Sequence, residues 1–348
     1  MMRMYDSYGH WNHTSADGQS QAADVVKRWV SFFCVVCTLF GAVAVRAATY
    51  PERPVRLIIP FGPGGASDFG GRVVAVGLSD ILGQQVVVDN RGGASGLIAT
   101  EIAVRAQPDG YTLLLGNVNV MAINPHIQRM KVNPINDLVA IAPVMSIPTV
   151  VVGHVSTKGN TLKEYLDDAL RAKREIRYGT ATLSSPGRFI MVAFLKSLGI
   201  KILEVPFNGG GAATTGLLAG EMEILPVTVA SVAGLVKSGK LKGLAATTVA
   251  RVPMLPDVPT MPELGYPDIV MGQWNGIFAP AGLPRPVVSA LHKATTSAMK
   301  QEQAIARMQT AAAEAVFSAT PEEYAKYVRG EHARWSKIVR DSGLAVKQ

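Results

Sequence analysis

Cysteine is nearly absent from this chain of 348 residues, which holds only Cys34 and Cys37. Both lie in the first 48 residues, so the remainder has no thiol for a disulfide or a metal. Histidine is sparse, and His126, His154, His292 and His332 have no metal-ligand spacing. Neither a metal nor a cofactor is expected. Ser67 and Ser95 lie in glycine-rich turns, yet neither completes Gly-x-Ser-x-Gly. No acid or histidine is spaced as a catalytic partner, so an enzyme is not expected. No Lys/Arg stripe with interleaved aromatics runs along the chain, which argues against nucleic acid.

What the N-terminal part does have is an uncharged run from Trp29 to Val45, preceded by Lys27 and Arg28. Arg46, Ala47 and Ala48 follow it. A positive flank, an apolar core and a small-residue exit read as a secretory signal peptide, cleaved near Ala47 or Ala48. An uncleaved membrane anchor is the weaker alternative. The first 26 residues are polar and carry Asp6, Asp17 and Asp24, which fits a true start near Val25 or Val26. Residues 1–48 are thus expected to be an extension plus a signal. The remaining 300 or so residues suffice for two domains with large cores. They carry 30 basic and 23 acidic residues. That balance either helps gather anionic ligands by steering or is a generic trait of a basic exported protein.

From Arg53 onward, short β-branched runs alternate with amphipathic stretches. Val55–Ile59, Val86–Asp89 and Thr112–Leu115 read as strands, and Gly70–Leu82 and Leu97–Ala106 as helices. Pro143 to Gly153 reads as a long buried strand crossing between domains. A second set follows, with strands at Ile176–Tyr178, Lys201–Val205, Glu223–Pro226 and Gly243–Ala246. Its helices are expected at Leu162–Ala172, Arg188–Leu198, Ala212–Gly220 and Val232–Ser238. A Pro-rich stretch from Val252 to Pro267 reads as a loop. Arg285–Ala313 and Pro321–Ser342 read as helices, the latter capped at Thr320. This order predicts an α/β protein with two domains, each a mostly parallel sheet flanked by helices. The expected division is 49–149 plus 271–348 against 150–270, with two crossover segments and a hinged cleft.

Ligands of open α/β sheets bind beyond the carboxyl ends of the strands, and the unusual turns of this chain sit there. Pro60-Phe61-Gly62-Pro63-Gly64-Gly65-Ala66-Ser67-Asp68 follows the first strand and leads into a helix. Bare amides at a helix N-terminus seat an anion, and no Lys follows to make a nucleotide phosphate loop. Gly64 and Gly65 are therefore candidate donors to a carboxylate. Asp68 reads as a cap or an organiser of loop amides. Phe207-Asn208-Gly209-Gly210-Gly211-Ala212 repeats the arrangement, its glycines pointing to close backbone approach. In Thr180–Arg188, the hydroxyls of Thr182, Ser184 and Ser185 serve as caps or as ligand contacts. Arg188 opposes the helix dipole and calls for an anion, either a neighbouring acid or the ligand. Asn117 and Asn119 offer amides to the ligand or to loop backbone. Phe61 and Trp274 are core residues or cleft walls by type, and their placement as walls rests on the resemblance that follows.

Together these segments resemble the Bug (Bordetella uptake gene) proteins, the substrate-binding proteins of tripartite tricarboxylate transporters. The resemblance runs from about Tyr50 to the C-terminal helix. It rests on PFGPGGASD at 60–68, NRGGASG at 90–96, PDGYTLLLGN at 108–117 and INP at 123–125. VPFNGGGAATTGLLAGE at 205–221, RVPMLPDVPTMPELGYP at 251–267 and QWNGIFAPAGLP at 273–284 complete it. It implies a periplasmic Venus-flytrap protein that binds a small organic acid and serves a permease with large and small subunits. It also implies a carboxylate grip, partly through water, at Gly64, Gly65 and Asp68 and at Phe207–Gly211. Phe207 and Asn208 stand where Tyr and Lys are common in that family, Arg188 where His is, Val192 where Glu is, and Gly216 where Asp is.

The function expected is capture of a di- or tricarboxylate, an amino acid or an aromatic acid by a monomer. A sensing subunit for a membrane receptor is the alternative, and a periplasmic hydrolase a lesser one. If Arg188 meets a second acidic group of the ligand, a dicarboxylate or an acid with another polar anion follows. The expected ligand contacts are Phe61, Gly64, Gly65, Ser67, Asp68, Asn117, Asn119, Thr182, Ser184, Ser185, Arg188, Phe207, Gly209, Gly210, Gly211 and Ala212.

Overall fold

The computed structural model describes residues 50–207 and 209–345. The signal-peptide expectation, its cleavage at Ala47 or Ala48 and the start near Val25 lie outside the described residues. So does Asn208. Among the described residues, no helix is long and apolar enough to cross a membrane.

The first half opens with β1 (Val55–Ile59), α1 (Ala66–Leu82), β2 (Val86–Asn90), α2 (Leu97–Val104) and β3 (Thr112–Asn117). Both β2 and β3 pair with β1 in parallel. The next strand, β4 (Leu138–His154), is 17 residues long and almost wholly buried. It is followed by α3 (Leu162–Arg171), β5 (Ile176–Thr180), α4 (Pro186–Ser197), β6 (Ile202–Pro206) and α5 (Gly210–Leu218). Then come β7 (Ile224–Thr228), α6 (Val229–Lys237), β8 (Leu241–Ala246) and β9 (Gly272–Pro280). The chain ends with α7 (Arg285–Lys300), α8 (Glu302–Thr310), β10 (Glu314–Ala315) and α9 (Pro321–Ser342).

The strand order is β2-β1-β3-β9-β4-β7-β5-β6, with β8 and β10 also paired to β4. The β1–β2, β1–β3, β5–β6 and β5–β7 pairs are parallel. The crossing strands are antiparallel to their neighbours: β9 lies between β3 and β4, and β4 also pairs with β7 and β8. Along β4, Leu138 to Pro148 pair with β9, and Thr149 to Gly153 pair with β7. Pro143 sits next to a register shift in β4, where a missing N–H is tolerated.

The strand β9 was not expected from the sequence. The expected helix over 285–313 is two helices, broken where Gln301 turns extended (φ −62°, ψ 138°). Helix ends follow local chemistry. Thr320 Oγ1 accepts from the Glu323 amide at 3.1 Å, and Glu323 Oε2 accepts from the Ala319 amide at 2.6 Å. Thr161 and Glu164 repeat this reciprocal cap on α3. Helix α1 ends at Gly83, whose φ of 66° favours glycine.

Close packing fixes where the turns point. A Cβ at Gly77 of α1 would lie 2.7 Å from the Ala298 Cβ of α7, so a glycine lets the two helices touch. Helix α9 returns across the molecule and packs on α4, where Lys196 Nζ donates to the Ser342 carbonyl at 2.6 Å. One buried cluster joins Met121 and Phe278 to Phe189, Leu195 and Trp335. That core holds the turn after β3 against the start of α4.

Candidate functional site

The first glycine turn is organised by Asp68. The residue is 5% exposed and sits in the first turn of α1, where the dipole favours an acid. It accepts from the Gly64 amide at 2.9 Å, from Asn90 Nδ2 at 3.0 Å and from Arg72 Nε at 3.0 and 3.1 Å. Burial alone would raise its pKa. The hydrogen bonds from Arg72, Gly64 and Asn90, with the Arg72 charge, outweigh burial and hold the carboxyl below its usual range. Asp68 is therefore the loop organiser that its place beside an anion seat suggests. Gly64, by contrast, does not present a bare amide: its N–H is held by Asp68, because the turn brings it over the carboxylate. Gly65 is the N-cap residue of α1, and the first amides of that helix have no partner within it.

Ser67 is buried behind this turn. Its Oγ accepts from Asn117 Nδ2 at 3.1 Å and from Asn275 Nδ2 at 2.9 Å. Asn117 Oδ1 accepts from the Val120 amide at 3.1 Å. Asn117 thus satisfies the loop that follows β3, the second of its two readings. Asn275, on β9, completes the clamp and was not anticipated. Its signal is a polar residue between Trp274 and Gly276, in a strand whose other polar residue is Gln273, but β9 itself had to be known first.

The turn after β2 leans on the glycine turn. Asn90 Nδ2 donates to the Phe61 carbonyl at 3.0 Å. A Cβ at Gly96 would lie 3.0 Å from Pro60 Cβ. Neighbouring Ser95 has its carbonyl bonded by Asn124 Nδ2 at 2.9 Å, and its Oγ lies 3.4 Å from Ser184 Oγ. Asn119 Nδ2 donates to the Ser184 carbonyl at 3.1 Å. So the turns after β2 and β3 meet the turn after β5 directly.

That meeting point opens into a cavity of about 620 Å³. Ser95, Thr182, Ser184 and Arg188 are its polar walls. Ile127, Leu183, Phe189, Pro206, Phe207 and Leu344 are its apolar walls. Phe61, Gly64 and Gly65 adjoin through Asn90 and Pro60 but stand outside the lining. Gly209, the N-cap of α5, has φ 121° and donates its amide to the Ala181 carbonyl at 2.7 Å, so that expected donor is also engaged. Gly210, Gly211 and Ala212 form the first turn of α5. Ser185 is the N-cap of α4, with Pro186 at the first helical position as expected. Its hydroxyl lies 3.2 Å from Thr180 Oγ1 and makes no cap bond.

Arg188 has found its anion in a neighbouring acid. Nε and Nη2 reach the two carboxylate oxygens of Glu204 at 2.5 and 3.0 Å, and Nη1 donates to the Leu183 carbonyl at 3.0 Å. The dicarboxylate expectation that rested on an open Arg188 loses its motive. The glycine at 216 also gains a reason. A Cβ there would lie 2.6 Å from Phe207 Cζ, so Gly216 makes room for the ring that walls the cavity.

Trp274 does not wall this cavity. It is buried, with Nε1 donating to Glu331 Oε2 at 3.1 Å, beside a separate cavity of about 500 Å³ lined also by Ser146, Arg251 and Tyr327. The fold pairs two histidines that the sequence separates. His126 and His332 have ring centroids 4.5 Å apart, and His332 Nδ1 lies 3.1 Å from the Met121 carbonyl. Burial first, then His332 and Arg340, lower the pKa of His126 against a raising bond to the His332 carbonyl. No group of three or more metal-ligating side chains occurs among the described residues.

Residues 71–344 match the family model described as the tripartite tricarboxylate transporter family receptor. The chain is 33% identical to the protein BugT of Bordetella pertussis over 317 residues, covering 90% of this chain and 96% of that protein. It is similar to the structure of the periplasmic binding protein BugD, with 30% identity and a TM-score of 0.72 over 86% of this chain and all of that one (100%). It is also similar to the R. palustris protein Rpa4515 with adipate, at 28% identity and a TM-score of 0.74, covering 85% of this chain and 99% of that one.

Proposed function

This chain belongs to the tripartite tricarboxylate transporter receptor family, and we propose that it captures a small organic carboxylate in the periplasm for a tripartite permease. The observation that carries this reading is the cavity of about 620 Å³, walled by turns from both halves of the sheet. Its volume is ordinary for a small-molecule site. The adipate held by a similar protein supports an organic acid as cargo.

The ligand carboxylate is assigned to the amides at Gly65 and at Gly210, Gly211 and Ala212, two helix N-termini that favour negative charge and stand outside the lining of the cavity, which takes the rest of the ligand. Hydroxyls of Ser95, Thr182 and Ser184 then orient the remainder. The chain divides into two domains, 49–149 plus 271–348 and 150–270, and closes on the ligand as a monomer. The change of β4 from β9 to β7 after Pro148 supports that division. Only the closed form touches the ligand from both sides, so binding favours closure. Residues 1–48 direct export and are removed.

The test is a thermal-shift screen of the mature chain against organic acids, with native mass spectrometry of the purified protein. A ligand at a hundredfold excess over its Kd adds about 2.7 kcal/mol of apparent stability. A panel in which no carboxylate raises the melting temperature, while a neutral or cationic solute does, refutes the reading.

A further inference from the structure

The ion pair in the cavity wall says which kind of acid fits. We infer that the ligand of this site carries one carboxylate on an apolar body, and that the Arg188–Glu204 pair excludes a second acid group. This rests on the proposal that the cavity holds a carboxylate.

Among the described residues that line the cavity, Arg188 is the one cation. It rises from the first turn of α4 and reaches back to Glu204 on β6, whose register partner on β5 is Tyr178. The side chains of Arg188 and Glu204 are 16% and 24% exposed, so solvent screens the pair only in part. The contact is a two-point fork, the geometry in which a guanidinium best matches a carboxylate. The third guanidinium nitrogen is held by the Leu183 carbonyl. Three of the five guanidinium N–H groups, one on each nitrogen, therefore have an acceptor already.

A second ligand acid arriving here meets a neutral pair. The attraction of Arg188 is opposed by the repulsion of Glu204 a few ångströms further on. A ligand acid that takes the forked N–H groups leaves Glu204 half-buried, unpaired and beside a like charge, and one that takes the two remaining N–H groups still lies against the Glu204 charge. The other walls point the same way. Ile127, Phe189, Pro206 and Phe207 offer apolar and aromatic surface and no counter-charge. Gly216 keeps the Phe207 ring where it forms that surface. A dianion would lose hydration on entering and regain little, whereas an aromatic or aliphatic tail loses only water contact.

The experiment is isothermal titration of the mature chain with matched acids, benzoate against terephthalate and hexanoate against adipate. At neutral pH, the monoacid of at least one pair is expected to bind tenfold or more tightly than its diacid. Glu204→Gln frees Arg188 and is expected to shift that ratio toward the diacid by at least tenfold. Arg188→Met uncovers Glu204 and is expected to shift it the other way. The opposite signs separate a charge effect from general damage, and if one variant fails to melt cooperatively, the other and the wild-type ratio decide. Tighter diacid binding by the wild type in both pairs overturns the inference and leaves the carboxylate site standing. A ratio unmoved in both variants also overturns it. If the folded protein binds neither these nor any other organic acid, the carboxylate site itself falls.

Discussion

Replacing Asp68 by asparagine keeps the shape of the side chain and removes its charge and one acceptor oxygen. Three groups depend on that carboxylate: the Gly64 amide, Arg72 Nε and Asn90 Nδ2. The new amide nitrogen must face at least one of these donors head-on. Gly64 and Arg72 are exposed and Asn90 is half-buried, so water replaces part of the lost acceptor, and the lost bond and charge assistance together cost about 1–2 kcal/mol. A net loss of about 1–2 kcal/mol corresponds to a fall in Tm of roughly 2–5 °C for a chain of this size. The pH dependence gives a second reading. The pKa of Asp68 is lower in the folded protein than in the unfolded chain. Its contribution is therefore fully present above the ordinary carboxylate value and is lost as pH falls through the folded one. The gap in Tm between wild type and Asp68→Asn should stay constant from about pH 8 to pH 5 and close only below about pH 4. Differential scanning calorimetry across that range measures it. A variant within 1 °C of wild type at about pH 7 would show that the three donors find other partners, and a gap closing near about pH 6 would assign the effect to a histidine.

Ser67→Ala removes the acceptor shared by Asn117 and Asn275 and should lower stability by about 2 kcal/mol by urea denaturation, since both amides stay buried. Gly216→Ala places a methyl group against the Phe207 ring, so a loss of about 1–3 kcal/mol or a displaced ring with weaker ligand binding is expected, read by calorimetry and titration. His126 has a folded pKa below its unfolded one, so it binds fewer protons when folded and stability falls as pH drops through about 6.5. His126→Asn should flatten the slope of Tm between about pH 7 and pH 5, and an unchanged slope would clear the His126–His332 pair of that role.

What the sequence made legible was local. Strand, turn and helix in β1 to α1 or β5 to α4 are written within about twenty residues each, so hydrophobic period, Pro186 and the glycines sufficed. The strand β9 was not legible, because Gln273-Trp274-Asn275-Gly276 shows no simple alternation and both its neighbours, β3 and β4, are over a hundred residues away. The same distance hid the partners of the site. The sequence shows that Arg188 in a first helical turn needs an anion, but only the parallel pairing of β5 with β6 puts Glu204 there. Gly64 looked like an open amide for the converse reason: the turn that makes it reachable by a ligand first makes it reachable by Asp68, four residues on. Such a turn is rigid before any ligand arrives. Turns held in this way at the edges of a cavity leave selectivity to the walls between them. Phe207 with Gly216, and Arg188 with Glu204, are two complementary pairs, and each makes sense only when both members are read together. A single substitution in either pair is therefore predicted to change what the cavity accepts, and at Gly216 to cost stability as well.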